Sequence, residues 1–258
     1  MKLEDVRQFI IGLAPMWKNS MGVLVRSVKK FVVWLTTSGY TSIDAEKLTS
    51  HSVPKRTKVL PCFTAEEVDA ILSAPDTSKP LGKRDFAMLM LAHKLGLRIS
   101  DITSLKLSDI DWRKNEIVFV QNKTGKHISL PLLPACGNAI AEYILHGRPQ
   151  SDSPYIFLRH RKPHDRLGAD GNGRVIIKRG QKKAAASYEL GDGKTFRAFR
   201  RTLGTNLVKA MVPLPTVAQT LGHSDFNSTM RYVALNDEIL RVVCMDISPF
   251  ASQMEGLA

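Results

Sequence analysis

The chain has 258 residues, 43% of them hydrophobic, enough for one large domain or for a large and a small one with cores of their own. A formal net charge of +13 calls for a polyanionic partner, because a surplus of that size concentrates and steers phosphates. No apolar run reaches about 18 residues, and the first residues, "MKLEDVRQFIIGLAPMW", carry acidic groups and a helical period where a signal peptide would be uniformly apolar. Nucleic acid is therefore expected as the partner, with no membrane partner and a cytoplasmic location. Cys62, Cys136 and Cys244 are odd in number and far apart, which suggests neither a disulfide framework nor a zinc site.

Residues 5–17 and 21–37 repeat apolar residues at i, i+3, i+4 and i+7, predicting two amphipathic helices, the second stopped by Gly39. "SHSVPKRTKVLP", Ser50 to Pro61, has no hydrophobic period and holds Lys55, Arg56 and Lys58, so it reads as a basic linker. Thr64 and Glu67 have capping-box spacing ahead of Val68, Ile71 and Leu72. Helices are predicted at about 83–95, ended by Gly96, and from Ser100 as N-cap. "EIVFVQNKTGKHISLPL" reads as a hairpin whose turn offers Gly125 for a positive φ. A helix at about 134–146, a short strand "YIFL", a basic irregular stretch and a helix near 173–186 follow. "FRAFRRTLGTNLVKAM" predicts a helix with Phe199, Leu203, Leu207 and Met211 on one face, "TVAQTLG" a short one closed by Gly222, and a last helix capped by Asp225 or Asn227 carries Tyr232. The fold class is mainly α with a small antiparallel β-sheet.

The charge is uneven: from Arg159 to Lys209 there are 14 Lys or Arg against 4 Asp or Glu. Taken singly, such residues are most simply a solvated face. As a group, Arg159, Arg161, Lys162, Lys178, Arg179, Lys182, Lys183 and Arg201, with the linker's Lys55, Arg56 and Lys58, are candidate phosphate contacts. His160 and His164 in "RHRKPHDR" are four apart, but Pro163 breaks the helix that would set both on one face, so no metal site is expected.

A tyrosine that attacks a phosphodiester must lose a proton held with a reference pKa of about 10. The pentacoordinate phosphorus gathers negative charge, which bidentate guanidinium groups bind well, and the departing 5′ oxygen needs a proton that a lysine can supply. Neither a metal nor a cofactor is called for, because the phosphotyrosine bond conserves the energy of the bond broken.

"GLRISDITSL" with Arg98, "QNKTGKHISLPL" with Lys123, "RAFRRTLGTN" with Arg200, "LGHSD" with His223 and "MRYVAL" with Tyr232 together resemble the tyrosine recombinase family, which includes phage-type and transposon integrases and the Xer recombinases. The five motifs stand in the family's order over roughly residues 60 to 250. The resemblance implies a catalytic fold preceded by a short helical DNA-gripping domain. Tyr232 would be the nucleophile, Arg98 and Arg200 the clamp on the scissile phosphate, Lys123 the general acid and His223 a hydrogen-bond partner of the phosphate, with Asp101 holding Arg98 in place. Lys126 is a rival to Lys123 across the same turn. Where the family usually has histidine this chain has Arg197, which can donate to a phosphate oxygen but cannot readily accept the phenol's proton.

The expected organisation is a helical core-binding domain over 1–50, incomplete by comparison with the family, a linker over 51–61, a catalytic domain over 62–236 and a C-terminal segment over 237–258 that docks on a neighbouring protomer. The expected function is site-specific recombination of DNA through a 3′-phosphotyrosine, integrating or excising a mobile element. The expected partners are double-stranded DNA with inverted-repeat core sites and further copies of the chain in a tetramer on that DNA. Two alternatives stay open: a non-cleaving DNA-binding accessory protein of the same fold, and a strand-passage enzyme like the type IB topoisomerases.

Overall fold

In the computed structural model the described residues are 2–17, 20–48, 61–169, 173–183, 193–223 and 227–233. The chain divides into two compact units, Met1–Lys58 and Val59–Ala258. In the first, α1 (Leu3–Leu13) and α2 (Met21–Thr37) close with a 3-10 turn at Ala45–Leu48 over Val6, Ile10, Val32, Ile43 and Leu48. The sequence predicts the first helix to run to residue 17. It ends at Leu13 because Pro15 has no N–H with which to continue the ladder. Gly39, at φ +77, turns the chain out of α2.

The second unit begins with α3 (Ala65–Leu72), capped as its sequence predicts: Thr64 Oγ1 accepts from the Glu67 amide at 3.2 Å and Glu67 Oε2 from the Thr64 amide at 2.9 Å. At the centre lies α4 (Pro80–Leu95), whose Ala87, Met88, Leu89, Leu91 and Ala92 are wholly buried. Its middle, Phe86 to Ala92, is apolar all round because other elements cover it on several sides. Gly96, in the left-handed region at φ +62, ends it and delivers the chain to α5 (Ile99–Ser104). Arg98, not Ser100, stands at the N-cap of α5, so the helix starts two residues earlier than a Ser100 cap implies.

The sheet has the order β1 (Ile110–Asp111), β2 (Glu116–Val120), β3 (His127–Pro131), all antiparallel. The register pairs Ile117 with Leu130 and Phe119 with Ile128, which sends one face of the hairpin into the core. The two-residue β1 carries too short a pattern to be read from sequence. The expected strand "YIFL" forms no sheet. Ile156, Phe157 and Leu158 are all fully buried, and the segment makes only isolated bridges, Lys106 with Tyr155 and Leu158 with Arg166. The continuous apolar run there reflects enclosure on all sides, not a pleat.

Next, α6 (Pro134–His146) packs on α4, α7 (Gly173–Lys183) on α3, and α8 (Arg197–Lys209) on α4. Gly180 lets α7 come close, since a Cβ there would stand 2.7 Å from the Ile71 Cα. The short α9 (Leu214–Leu221) and α10 (Asn227–Val233) close a satellite core of Val208, Val217, Leu221 and Tyr232 against α8. The helix expected to reach 186 is described to Lys183. The linker's Lys55, Arg56 and Lys58, the Lys183 side chain, Asp225, Cys244 and the segment 237–258 lie outside the described residues.

Candidate active site

Five parts of the second unit carry the predicted residues: the start of α5, the β2–β3 turn, α8, the end of α9 and α10. Arg200 projects from the first turn of α8 and is only 9% exposed. Its Nη1 donates to the Gly96 carbonyl at 2.9 Å, and its Nη2 donates to the Leu221 carbonyl. Two helix C-termini, those of α4 and α9, therefore present their unpaired carbonyls to one guanidinium. Burial, and secondarily the charge of Arg98, lower its pKa to about 10, while Tyr232 and Asp101 act the other way. Two guanidinium groups near each other in a half-dry site are costly unless an anion joins them, which is what a clamp on phosphate requires.

Tyr232 lies on α10 and is 7% exposed. Burial raises its phenol above the ordinary 10.0, opposed by the charge and hydrogen bond of Arg200 and by the charges of Arg98 and Arg201. Its ring stacks on His223, with centroids 5.9 Å apart and planes at 19°. His223 follows Gly222, which is at φ +59 and ends α9. His223 Nδ1 pairs with Thr229 Oγ1 at 2.7 Å, so the imidazole is fixed by a residue one turn before Tyr232 on the same helix. Gly204 on α8 makes room for the Tyr232 ring.

Arg98 Nη1 lies 3.6 Å from Asp101 Oδ2, a stretched ion pair in which the aspartate side chain is fully buried. Neither of those two atoms has a hydrogen-bond partner among the described residues. The other carboxylate oxygen, Asp101 Oδ1, accepts from the Asn122 amide at 3.0 Å and from Asn122 Nδ2 at 3.3 Å. Asn122 opens the β2–β3 turn, and the exposed Lys123 stands next to it, with Gly125 at φ +67 closing the turn as expected. Lys126 is exposed on the far side of that turn. Arg197 is exposed at the start of α8, one turn before Arg200.

The basic candidates divide. Arg159, Arg161 and Lys162 are exposed on the loop after Leu158, and Lys178 and Lys182 are exposed on α7. Arg179, also exposed, reaches Asp85 Oδ2 at 3.8 Å. Arg201 turns inward: its Nη2 donates to the Pro61 carbonyl at 2.7 Å and to the Gly193 carbonyl at 2.8 Å, tying the entry of the unit to the approach to α8. His160 stacks on Tyr143, and His164 Nδ1 pairs with the Arg159 carbonyl, so the two rings serve different contacts.

Sequence reasoning missed Asn122, Thr229 and Gly204. Each sits inside a motif, "QNKTGK", "STMRY" or "RRTLGTN", but its contact runs to another element or another turn and leaves no periodic trace.

The model of the phage integrase family matches residues 61–238. Tyrosine recombinase XerC of Bacillus pumilus is 31% identical over 212 residues, covering 78% of this chain and 66% of XerC. XerC of Oceanobacillus iheyensis is 29% identical over 258 residues, covering 96% and 81%. A lambda integrase dimer bound to a COC′ core site superposes with a TM-score of 0.68 at 19% identity, covering 90% of this chain and 79% of that one.

Proposed function

Because the chain belongs to the phage integrase family and is a tyrosine-type site-specific recombinase, we propose that Tyr232, Arg98, Arg200, Lys123 and His223 form its catalytic set and that double-stranded DNA is its substrate. The Tyr232 oxygen attacks the scissile phosphorus and its proton leaves to water. The P–O5′ bond breaks, Lys123 gives a proton to the departing oxygen, and the products are a 3′-phosphotyrosine and a 5′-hydroxyl. Arg98 and Arg200 take the charge that develops on the non-bridging oxygens, and His223 donates to one of them. Attack by the 5′-hydroxyl of a partner strand reverses each step, so no bond energy is lost. Arg197 adds charge at the phosphate, where it cannot act as a base.

The observation that carries this reading is the buried phenol beside the Arg200 guanidinium, in a site whose two arginines raise each other's need for an anion. The charge of +13 supports a DNA partner. The solved structures of the same fold include a lambda integrase tetramer bound to a Holliday junction and XerH bound to palindromic difH. By analogy of fold, this chain assembles as a tetramer on inverted-repeat core sites, with residues 237–258 docking in trans, to integrate or excise a mobile element.

The test is covalent capture on a nicked duplex whose cut fragment diffuses away. The wild-type chain is expected to accumulate a protein–DNA adduct, and Tyr232→Phe to bind the duplex with the same affinity and form none. Adduct formation by Tyr232→Phe removes Tyr232 from the role. No adduct with the wild type on its own element's ends leaves the accessory DNA-binding reading, and supercoil relaxation without strand exchange leaves the topoisomerase one.

A further inference from the structure

Asn122 is exposed, yet its side-chain amide makes three bonds to residues about twenty positions earlier in the chain: to the Ser100 carbonyl at 2.9 Å, to Asp101 Oδ1 at 3.3 Å and to Ser104 Oγ at 2.8 Å. Its backbone N–H adds a fourth, to Asp101 Oδ1 at 3.0 Å. The three acceptors of these four bonds all belong to α5, the helix that Arg98 caps. An ordinary turn residue satisfies itself locally; this one is bound to a separate element through every donor it has.

The neighbouring residue extends the pattern. Gln121 is 2% exposed, and its amide side chain lies against Gly222: a Cβ on Gly222 would come within 2.4 Å of Gln121 Nε2. Gln121 also accepts from Thr124 Oγ1 through Oε1 at 2.9 Å and from the Gly125 amide through its carbonyl at 2.9 Å. The turn of residues 121–126 is thus held on one side at α5, beside Arg98 and Asp101, and on the other at the residue before His223. Lys123 is the residue between these anchors and the open tip.

We infer that Asn122 is a positioning residue for Lys123, fastening the turn that carries it to the α5 end that carries Arg98, with Asp101 as the shared acceptor. The inference rests on Lys123 being the general acid. Lysine has four rotatable bonds and stands on a turn at the end of a hairpin, so proton delivery to O5′ depends on where the turn stands. Asp101 then has two tasks, one per oxygen: Oδ2 faces Arg98 and Oδ1 holds the turn. Losing the Asn122 side-chain amide loosens the turn on its α5 side while Arg200 and Tyr232 keep their own contacts, and the step that suffers is protonation of the leaving oxygen, not attack.

The test compares single-turnover cleavage of duplexes carrying the ordinary 5′ oxygen with duplexes carrying a 5′ bridging sulfur, which leaves without a proton. Asn122→Ala is expected to cut the oxygen substrate about 10- to 100-fold more slowly than the wild type, in keeping with the cost of small misplacements. It should cut the sulfur substrate at nearly the wild-type rate. Asn122→Asp, of the same shape but setting a carboxylate against Asp101, is expected to lose at least as much and to be rescued alike. Asn122→Ser, which keeps one donor on the turn, is expected to fall between Asn122→Ala and the wild type, and guards against a fold effect in either variant. Lys123→Ala is run beside them. If Lys123→Ala is rescued by sulfur and Asn122→Ala is as fast as the wild type on oxygen, the latch fails while the general acid stands. If Lys123→Ala is slowed equally on both substrates, the general-acid role itself falls and the inference with it. Equal slowing of Asn122→Ala on both substrates shows a purely structural role and overturns the proposal.

Discussion

The Tyr232 ring occupies the space a side chain would need at Gly204: a Cβ there would lie 2.7 Å from Cε2 and 2.8 Å from Cζ. Gly204 sits inside α8, where glycine costs about 1 kcal/mol relative to alanine, so its presence trades helix stability for the seat of the proposed nucleophile. Gly204→Ala therefore sets two effects against each other. The helix gains, but a rigid aromatic ring has to move by several tenths of an ångström or more. We expect thermal stability to change by no more than about 1 kcal/mol in either direction, DNA affinity to hold, and covalent adduct formation to slow about 10- to 100-fold. Adduct formation at the wild-type rate would show that the ring's position against α8 is not the reactive one.

The pH dependence follows from the same burial. Tyr232 must lose its proton to attack, and its pKa is raised by burial, so the fraction poised to react grows as pH rises through the neutral range. On the alkaline side Arg200, lowered to about 10, loses the charge that binds the phosphate. A bound phosphate favours the protonated guanidinium and moves this limb upward. Single-turnover cleavage at saturating protein is thus expected to climb from neutral pH and to turn down only near or above pH 10. A profile that is flat from about pH 6 to about pH 9 would mean that a step other than attack by Tyr232 limits the rate.

Much of this site is legible in the sequence, because each proposed catalytic residue stands in a short motif with a local signature. Gly96 and Gly222 end helices in the left-handed region, as their place after an apolar period suggested, and the Thr64–Glu67 box caps α3. What stayed hidden has no period. The three acceptors of Asn122 lie on a helix that the sequence places elsewhere, and nothing in "YIFL" distinguishes a pleated strand from a segment enclosed on all sides. Arg201 is the opposite case: its place in a basic run reads as one more phosphate contact, and nothing in that run announces that its guanidinium holds the Pro61 and Gly193 carbonyls.

Arg197 and Arg200 both fall in the first turn of α8, which has no acidic residue to complement the positive end of the helix. A cation there works against the macrodipole, by about 0.3–1 kcal/mol for an exposed group such as Arg197. Such a cost fits a helix end that awaits an anion. Arg197→Glu is expected to stabilise the DNA-free protein by about 1 kcal/mol in thermal denaturation while weakening duplex binding at fixed salt. Unchanged affinity with the same gain in stability would place Arg197 away from the DNA.

Salt dependence separates the basic residues that meet phosphate from those that hold the fold. Of the 14 Lys or Arg between Arg159 and Lys209, Lys178 and Lys182 stand exposed on α7, whereas Arg201 is turned inward onto two carbonyls. If binding neutralises about six phosphates, the logarithm of the binding constant should fall against that of the salt concentration with a slope of about −5. Removing one true phosphate contact should make the slope shallower by about 0.9 and weaken binding to all duplex sequences alike. Lys178→Gln and Lys182→Gln are expected to behave so and to leave the melting temperature in place. Arg201→Gln should do the reverse, lowering stability by about 1–3 kcal/mol through two orphaned carbonyls while the slope stays near that of the wild type. A slope for the wild type shallower than about −2 would mean that the basic surplus faces something other than the DNA backbone. A full unit lost on Arg201→Gln would mean that its guanidinium leaves Pro61 and Gly193 when DNA arrives.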